Sequence, residues 1–293
     1  MNRIWASIKS ILWILAEFII FVIIMVPITY GLNMAFTGIF HLGDSYNIAE
    51  HPLEILAIEY LPLFIASMIS LFITHTLIFK RAWPATGFVR AWYSAGTIRA
   101  ATLAVVILGL SFIGLYIVGY MAIEKIDFDA TLFFGLLLLF IVQSSFEEVV
   151  SRSFMIPSIT SRSNVWVALF ISSALFAVLH LFNDNITVLS TLNIFLAGAL
   201  LGILYIRYES IWPAISFHAA WNFFQGSFFG FEVSGNEVYS YLDTTETGPD
   251  LLTGGTFGFE GSIICTLLLI IYTAYLYKKW SKSDQFIRLG IQT

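Results

Sequence analysis

Charge is scarce in this chain: 11% of its 293 residues are charged and 58% are hydrophobic, with a mean hydropathy of +0.86. Soluble domains carry roughly 25% charged residues, so this composition excludes an ordinary soluble globular protein. Cysteine is rarer still. The single Cys265 excludes an internal disulfide and leaves the redox compartment unread. Internal repeats, coiled-coil heptads and low-complexity tracts are absent, as are the paired interrupted helices of a repeated-half transporter. No compact H-E-x-x-H segment occurs either, so any metal site must be assembled from separate helices.

Long apolar runs are what the chain has instead. A helix needs roughly 20 mainly apolar residues to cross the hydrocarbon. Eight stretches have about that length: 11–32, 54–79, 101–122, 131–156, 165–182, 190–206, 210–230 and 261–279. They predict one integral membrane domain over residues 1–293, all-α and polytopic, with about eight transmembrane helices. The first run follows Arg3 and Lys9 as a signal peptide would, but it exceeds the usual ~7–15 apolar residues and lacks a small-residue cleavage site. It reads as an uncleaved span.

All 14 basic residues except Lys125 fall on one side of these spans, which by the positive-inside rule places both termini in the cytoplasm. Arg81, Arg90, Arg162 and Arg288 belong to this set, and Trp5, Trp83, Trp92, Trp166, Trp212 and Trp280 fall near the same boundary. The segment 81–100 mixes Arg with aromatics and is expected to lie along that surface. Asp44, Glu124, Asp127, Asp184, Asp243 and Asp250 fall on the other side, so the net charge of −5 comes mainly from outer loops and implies no nucleic-acid partner. The lipid bilayer is the one partner that composition dictates, and no oligomeric state follows from it.

An ionised group at the bilayer centre costs at least ~2.5–3.5 kcal/mol on insertion scales, so polar residues within spans are where function is sought. Three places stand out: Glu147 and Glu148 in "SSFEEVVSRSF", His180 ending "ALFAVLH", and His218 with Asn222 in "FHAAWN". Glu148 and Arg152 are four apart on one helix face and can pair. Glu147 is rotated about 100° away and lacks that partner, which leaves it free for general acid–base work. His218 and Asn222 also share a face, and His180 must arrive from a neighbouring span. Such a set can hold and deprotonate a water and donate to an oxyanion. Two histidines and a glutamate, Glu147, His180 and His218, are equally a common zinc shell, and spacing does not decide between the two.

Other embedded polar residues receive blander readings. His75 and Asn193 read as helix-packing hydrogen-bond partners. Glu17 and Glu59 are assigned no chemistry, and Ser144, Ser145 and Ser151 satisfy their own helix.

The ordered motifs "EEVVSR" (Glu147, Glu148, Arg152), "FAVLH" (Phe176, His180) and "HAAWN" (His218, Asn222) resemble the EExxxR, FxxxH and HxxxN pattern of the CAAX protease and bacteriocin-processing (CPBP, or Abi) intramembrane proteases, relatives of the type II CAAX prenyl endopeptidase. The resemblance covers about residues 131–230, the expected catalytic core helices, and "LLTGGTFGFEGS" (251–262) is similar to a stretch of bacterial members. It implies a multi-pass protein of a bacterial plasma membrane that hydrolyses a peptide bond in a membrane-associated peptide or protein. Glu147 would then be the general base with His180 orienting the water, and His218 with Asn222 would stabilise the oxyanion. Glu148, Arg152 and Phe176 would be structural support. A metal-free, glutamate-dependent mechanism without a cofactor is favoured, with zinc-dependent hydrolysis by the same residues as the alternative. The rival classes are a catalytically silent immunity or scaffold protein and a transporter using Glu147 as a proton relay.

Sidedness is directly testable. Reporter fusions after residues 45, 127, 184 and 243 are expected to report the outside and those after 90, 207 and 285 the inside; a cytoplasmic signal from the 231–260 loop would overturn the arrangement.

Overall fold

The computed structural model describes residues 2–40, 50–89 and 94–282. Asp44, Arg90, Trp92 and Arg288, used above for sidedness, lie outside the described residues, as do fusion sites 45, 90 and 285. Eight helical rods follow in the expected order: α1 (Asn2–Phe40), α2 (Pro52–Ile78), α3 (Ala95–Ile117), α4 (Ala130–Thr160), α5 (Val165–Leu179), α6 (Val188–Tyr208), α7 (Trp212–Phe223, continued by a π-helical turn Phe224–Phe228) and α8 (Ile263–Trp280).

Six of them are long and apolar enough to cross a membrane; α5 is a shorter apolar helix, and α7 is not among the six. The fold is thus all-α and polytopic as expected, with six candidate spans and the shorter apolar α5 among its eight rods. Helix length sets α5 apart. The 15 residues of α5 rise only about 22 Å against roughly 30 Å of hydrocarbon. The apolar run 165–182 continues past the helix end, which is why hydropathy overstates it.

Local chemistry sets the ends. Ser94, Asp129, Asn164, Thr187 and Ser262 cap α3, α4, α5, α6 and α8 by accepting from backbone N–H groups of the first turn. Inside the bundle α3 and α4 pack on α7, α5 and α8 pack on α6, and α1 packs on α2. The helix faces pointing outward remain apolar, with Leu110, Phe134, Phe170 and Ile271 exposed, as lipid contact requires.

At one end the loops interlock. Strands β1 (Met121–Ile126) and β2 (Leu242–Glu246) pair antiparallel, Asn183 Nδ2 donates to the Ser234 carbonyl at 3.0 Å and Asn185 Nδ2 to that of Thr256 at 3.4 Å. Within this cap Gly258 has φ +89, and a Cβ there would stand 1.9 Å from the Glu232 carbonyl oxygen, so only glycine fits. At the other end Tyr205 Oη donates to the Ala85 carbonyl and Trp212 Nε1 to that of Val89, both at 2.8 Å. There Glu17, fully buried, accepts from Arg81 Nη2 at 2.8 Å on both oxygens and from Arg162 Nη2 at 2.9 Å. Both arginines belong to the set that the positive-inside argument grouped together. Of the tryptophans on that boundary, Trp280 is buried against Trp166. His75 is buried with Nε2 3.1 Å from the Ala82 carbonyl, and Asn193 Nδ2 donates to the Glu260 and Ser262 carbonyls at 2.7 and 2.8 Å.

The cap contains one carboxyl with an unusual titration. Burial, with the neighbouring Glu232 and Asp250 charges, pushes Glu246 up to about 7. Its folded pKa thus exceeds the unfolded value, so the stability it contributes is present at acid pH and lost as pH rises through about 7. The detergent-solubilised protein is expected to melt at a lower temperature at pH 8 than at pH 5.5, and Glu246→Gln to flatten that difference; an unchanged pH slope in the variant would refute the assignment.

Candidate active site

The site starts on α4. Its α-helical part ends at Glu148 and a π-helical stretch, Val149–Phe154, follows. Such wide turns cluster at functional sites. Across this junction Arg152 Nη1 donates to Glu148 Oε1 at 2.8 Å, with both side chains fully buried. Arg152 Nη2 donates to the Gly198 carbonyl on α6 at 3.0 Å, and the guanidinium lies 4.5 Å from the centroid of the Phe176 ring on α5. Gly198 also lets α5 and α6 approach closely, because a Cβ there would already be 3.0 Å from Ser173 Cα.

Phe176 has a second use. Its carbonyl, in the last turn of α5, takes His180 Nδ1 at 2.7 Å, and its ring lies 4.7 Å from the imidazole of His180 and 5.6 Å from that of His218, centroid to centroid. A carbonyl only accepts, so Nδ1 of His180 carries the proton and Nε2 has the lone pair. On α7, His218 Nδ1 lies 3.0 Å from Glu148 Oε1. Glu148 therefore does more than pair with Arg152: it also orients His218, a contact that sequence spacing did not reveal.

With both Nδ1 atoms engaged, the two Nε2 atoms face one carboxylate. His180 Nε2 and His218 Nε2 each lie 3.8 Å from Glu147 Oε2, too far for a hydrogen bond. Glu147 keeps 17% of its side chain exposed, whereas Glu148 has none. The three groups line a cavity of about 330 Å³ together with Asn222, one turn beyond His218. All four residues singled out from the sequence thus meet in one place.

The same cavity is lined by residues that sequence reasoning missed: Tyr60, Gln143, Asn183, Ser234, Asn236 and Glu260. Gln143 was accessible in principle, since it precedes Glu147 by one helical turn. Its Nε2 reaches Tyr60 Oη at 3.4 Å. Tyr60 comes from a distant element with no local signal, whereas Glu260 lies within the stretch 251–262 already noted for its similarity, though no role was read for it. Ser151 also lines the cavity, while Ser145 bonds its own helix at the Ile141 carbonyl.

The zinc alternative can be tested on these positions. The residue types suit zinc, and a histidine whose other ring nitrogen is tied down is a usual ligand arrangement. As placed, however, no three His, Cys, Asp or Glu side chains among the described residues form a group able to hold one ion. That alternative rests on residue type.

A helical membrane protein with a carboxylate and two imidazoles facing an internal cavity has the makings of an intramembrane hydrolase. Residues 129–224 match the family model of type II CAAX prenyl endopeptidase Rce1-like proteins, which is consistent with a CPBP protease. The match runs from the cap of α4 to the end of α7 and holds all three motifs. It supports a CAAX-protease-type intramembrane endopeptidase in general. No curated protein matches the chain.

The two adjacent glutamates should separate by stability. Glu148→Gln leaves Arg152 buried without its counter-charge, so a loss of about 3–5 kcal/mol is expected, of the size seen when a buried pair is broken. Glu147→Gln should leave the melt nearly unchanged. Equal melting temperatures for the two variants in detergent would contradict the division of labour.

Proposed function

We propose that this protein is an endopeptidase of a bacterial plasma membrane that hydrolyses a peptide bond in a membrane-associated peptide or protein, using water activated by Glu147 and His180. The observation that carries the reading is the position of Glu147 Oε2, 3.8 Å from both His Nε2 atoms. A water between Glu147 and His180 can donate one hydrogen to each and aim its lone pair at a carbonyl carbon. As the new C–O bond forms, Glu147 takes the proton. When the tetrahedral adduct collapses and the C–N bond breaks, that proton passes to the leaving amine.

Roles on the opposite side follow from the hydrogen-bond assignments. His218 Nδ1 donates to Glu148, so His218 can donate from Nε2 only as an imidazolium, and the Glu148 carboxylate favours that form. The developing oxyanion is then met by His218 Nε2–H and the Asn222 amide, both in a site largely shielded from water. Glu148, Arg152 and Phe176 act through His218 and His180 and are positioning residues.

Purified protein and a membrane peptide in detergent supply the test. Glu147→Gln is expected to abolish cleavage, and Asn222→Ala to lower turnover by about 10²–10³-fold, as loss of one oxyanion donor does elsewhere. Chelator should leave wild-type activity nearly unchanged. Stoichiometric zinc, lost together with activity on dialysis against chelator and restored with it, would overturn the metal-free mechanism. Full cleavage by Glu147→Gln would overturn the assignment of the base.

A further inference from the structure

The cavity contains a second carboxylate that this hydrolysis does not use. Glu260 belongs to the helical turn Phe259–Gly261, just before α8, and lines the same cavity as Glu147. It is held at two points, one of them braced in turn. Its backbone carbonyl accepts from Asn193 Nδ2 at 2.7 Å, its Oε2 accepts from Ser234 Oγ at 2.6 Å, and Ser234 is itself held through its carbonyl by Asn183 at 3.0 Å. The turn is anchored by Gly258, where a side chain has no room. Glu260 is thus placed by the ends of α5 and α6 and by the loop after α7, and it does not depend on its own side-chain rotamer alone.

Among the described residues the cavity offers Glu260 no lysine or arginine. Two carboxylates line it, and His218, the one cationic group of the proposed mechanism, is already bonded to Glu148. The hydroxyl of Ser234 is a neutral donor and satisfies one oxygen of Glu260, leaving its charge uncompensated. Apolar walls from Ile194, Leu201, Phe217 and Leu269 line the rest. A long side chain with an apolar stem and a cationic head matches that combination, the stem along the wall and the head at the carboxylate.

We propose that Glu260 is the specificity-determining residue of this site, taking the ammonium or guanidinium of a substrate lysine or arginine. The proposal rests on the endopeptidase reading and adds the substrate class to it. Selection works in both directions. A basic side chain gains a charge-assisted bond, an apolar one leaves Glu260 partly desolvated without a counter-charge, and an acidic one meets like charge. The expected preference for Lys or Arg over norleucine at one position is about 10- to 100-fold, the range of a hydrogen bond to a charged group.

Cleavage-site profiling tests it. Full-length wild type, Glu260→Gln and Glu260→Lys are incubated in detergent with a random library of hydrophobic peptides, and the products are sequenced by mass spectrometry. Wild type should show Lys and Arg enriched at one constant distance from the cut, Glu260→Gln should lose that enrichment, and Glu260→Lys should shift it toward Asp and Glu. Glu260→Gln can still accept from Ser234, which keeps the comparison usable if Glu260→Lys misfolds. Cleavage without basic enrichment, or with the same enrichment in Glu260→Gln, overturns the role of Glu260 and leaves the protease reading standing. If wild type cuts nothing, the protease reading is the one that fails. Binding of a fluorescent lysine-containing apolar peptide against its norleucine twin then decides the proposal, and equal affinities overturn it.

Discussion

The arrangement of the candidate site depends on one oxygen atom. Glu148 Oε1 accepts from Arg152 at 2.8 Å and from His218 at 3.0 Å, and Arg152 carries the connection onward to the Gly198 carbonyl. One carboxylate thus joins α4, α6 and α7 where water cannot substitute for any of them. Among the described residues Glu148 Oε2 and Arg152 Nε are buried and make no hydrogen bond. Buried ion pairs are weak sources of net stability but costly to break from one side. Here the pair defines which helices meet and at what rotation.

Helix length is the second constraint, and it also serves the site. Had α5 run the full membrane thickness, His180 would lie in mid-helix and its Nδ1 would compete with a backbone N–H for the Phe176 carbonyl. Because the helix stops at Leu179, the carbonyl of Phe176 is free to orient the imidazole. The same early stop lets the chain turn inward, so that Asn183 and Ser234 reach the cavity wall. Polar loop residues can stand at that depth because they line a cavity and do not face lipid.

Much of this was legible in the sequence because helical periodicity is local. Four-residue spacing put Glu148 beside Arg152 and His218 beside Asn222, and the absence of a comparable partner singled out Glu147. Charge scarcity and apolar runs announced a polytopic helical protein. What escaped is non-local or depends on helix irregularity. The bond from Glu148 to His218 spans 70 residues, and a carboxylate already assigned to an arginine gives no sign that it accepts twice. The Arg81–Glu17–Arg162 cluster draws on three separated segments, and hydropathy, which counts apolar residues, placed span ends where apolarity stops and not where hydrogen bonding does.

The choice of arginine at 152 shows how narrow the solution is. Its planar fork sends Nη1 to a carboxylate and Nη2 to a carbonyl while its face lies over the Phe176 ring. Lysine, a point charge on a flexible stem, could satisfy the carboxylate but could not hold all three directions at once. Glu148 would then keep its charge partner, but α6 would lose its tie to α4 and Phe176 the cation over its ring. Because the carbonyl of Phe176 orients His180 while Glu148 orients His218, the guanidinium plane sets the relative position of two imidazoles that it never touches. In the mechanism proposed above, the adjacent carboxylates have separate tasks for a physical reason: one must stay bonded so that the other, left beside two oriented nitrogens, can move a proton.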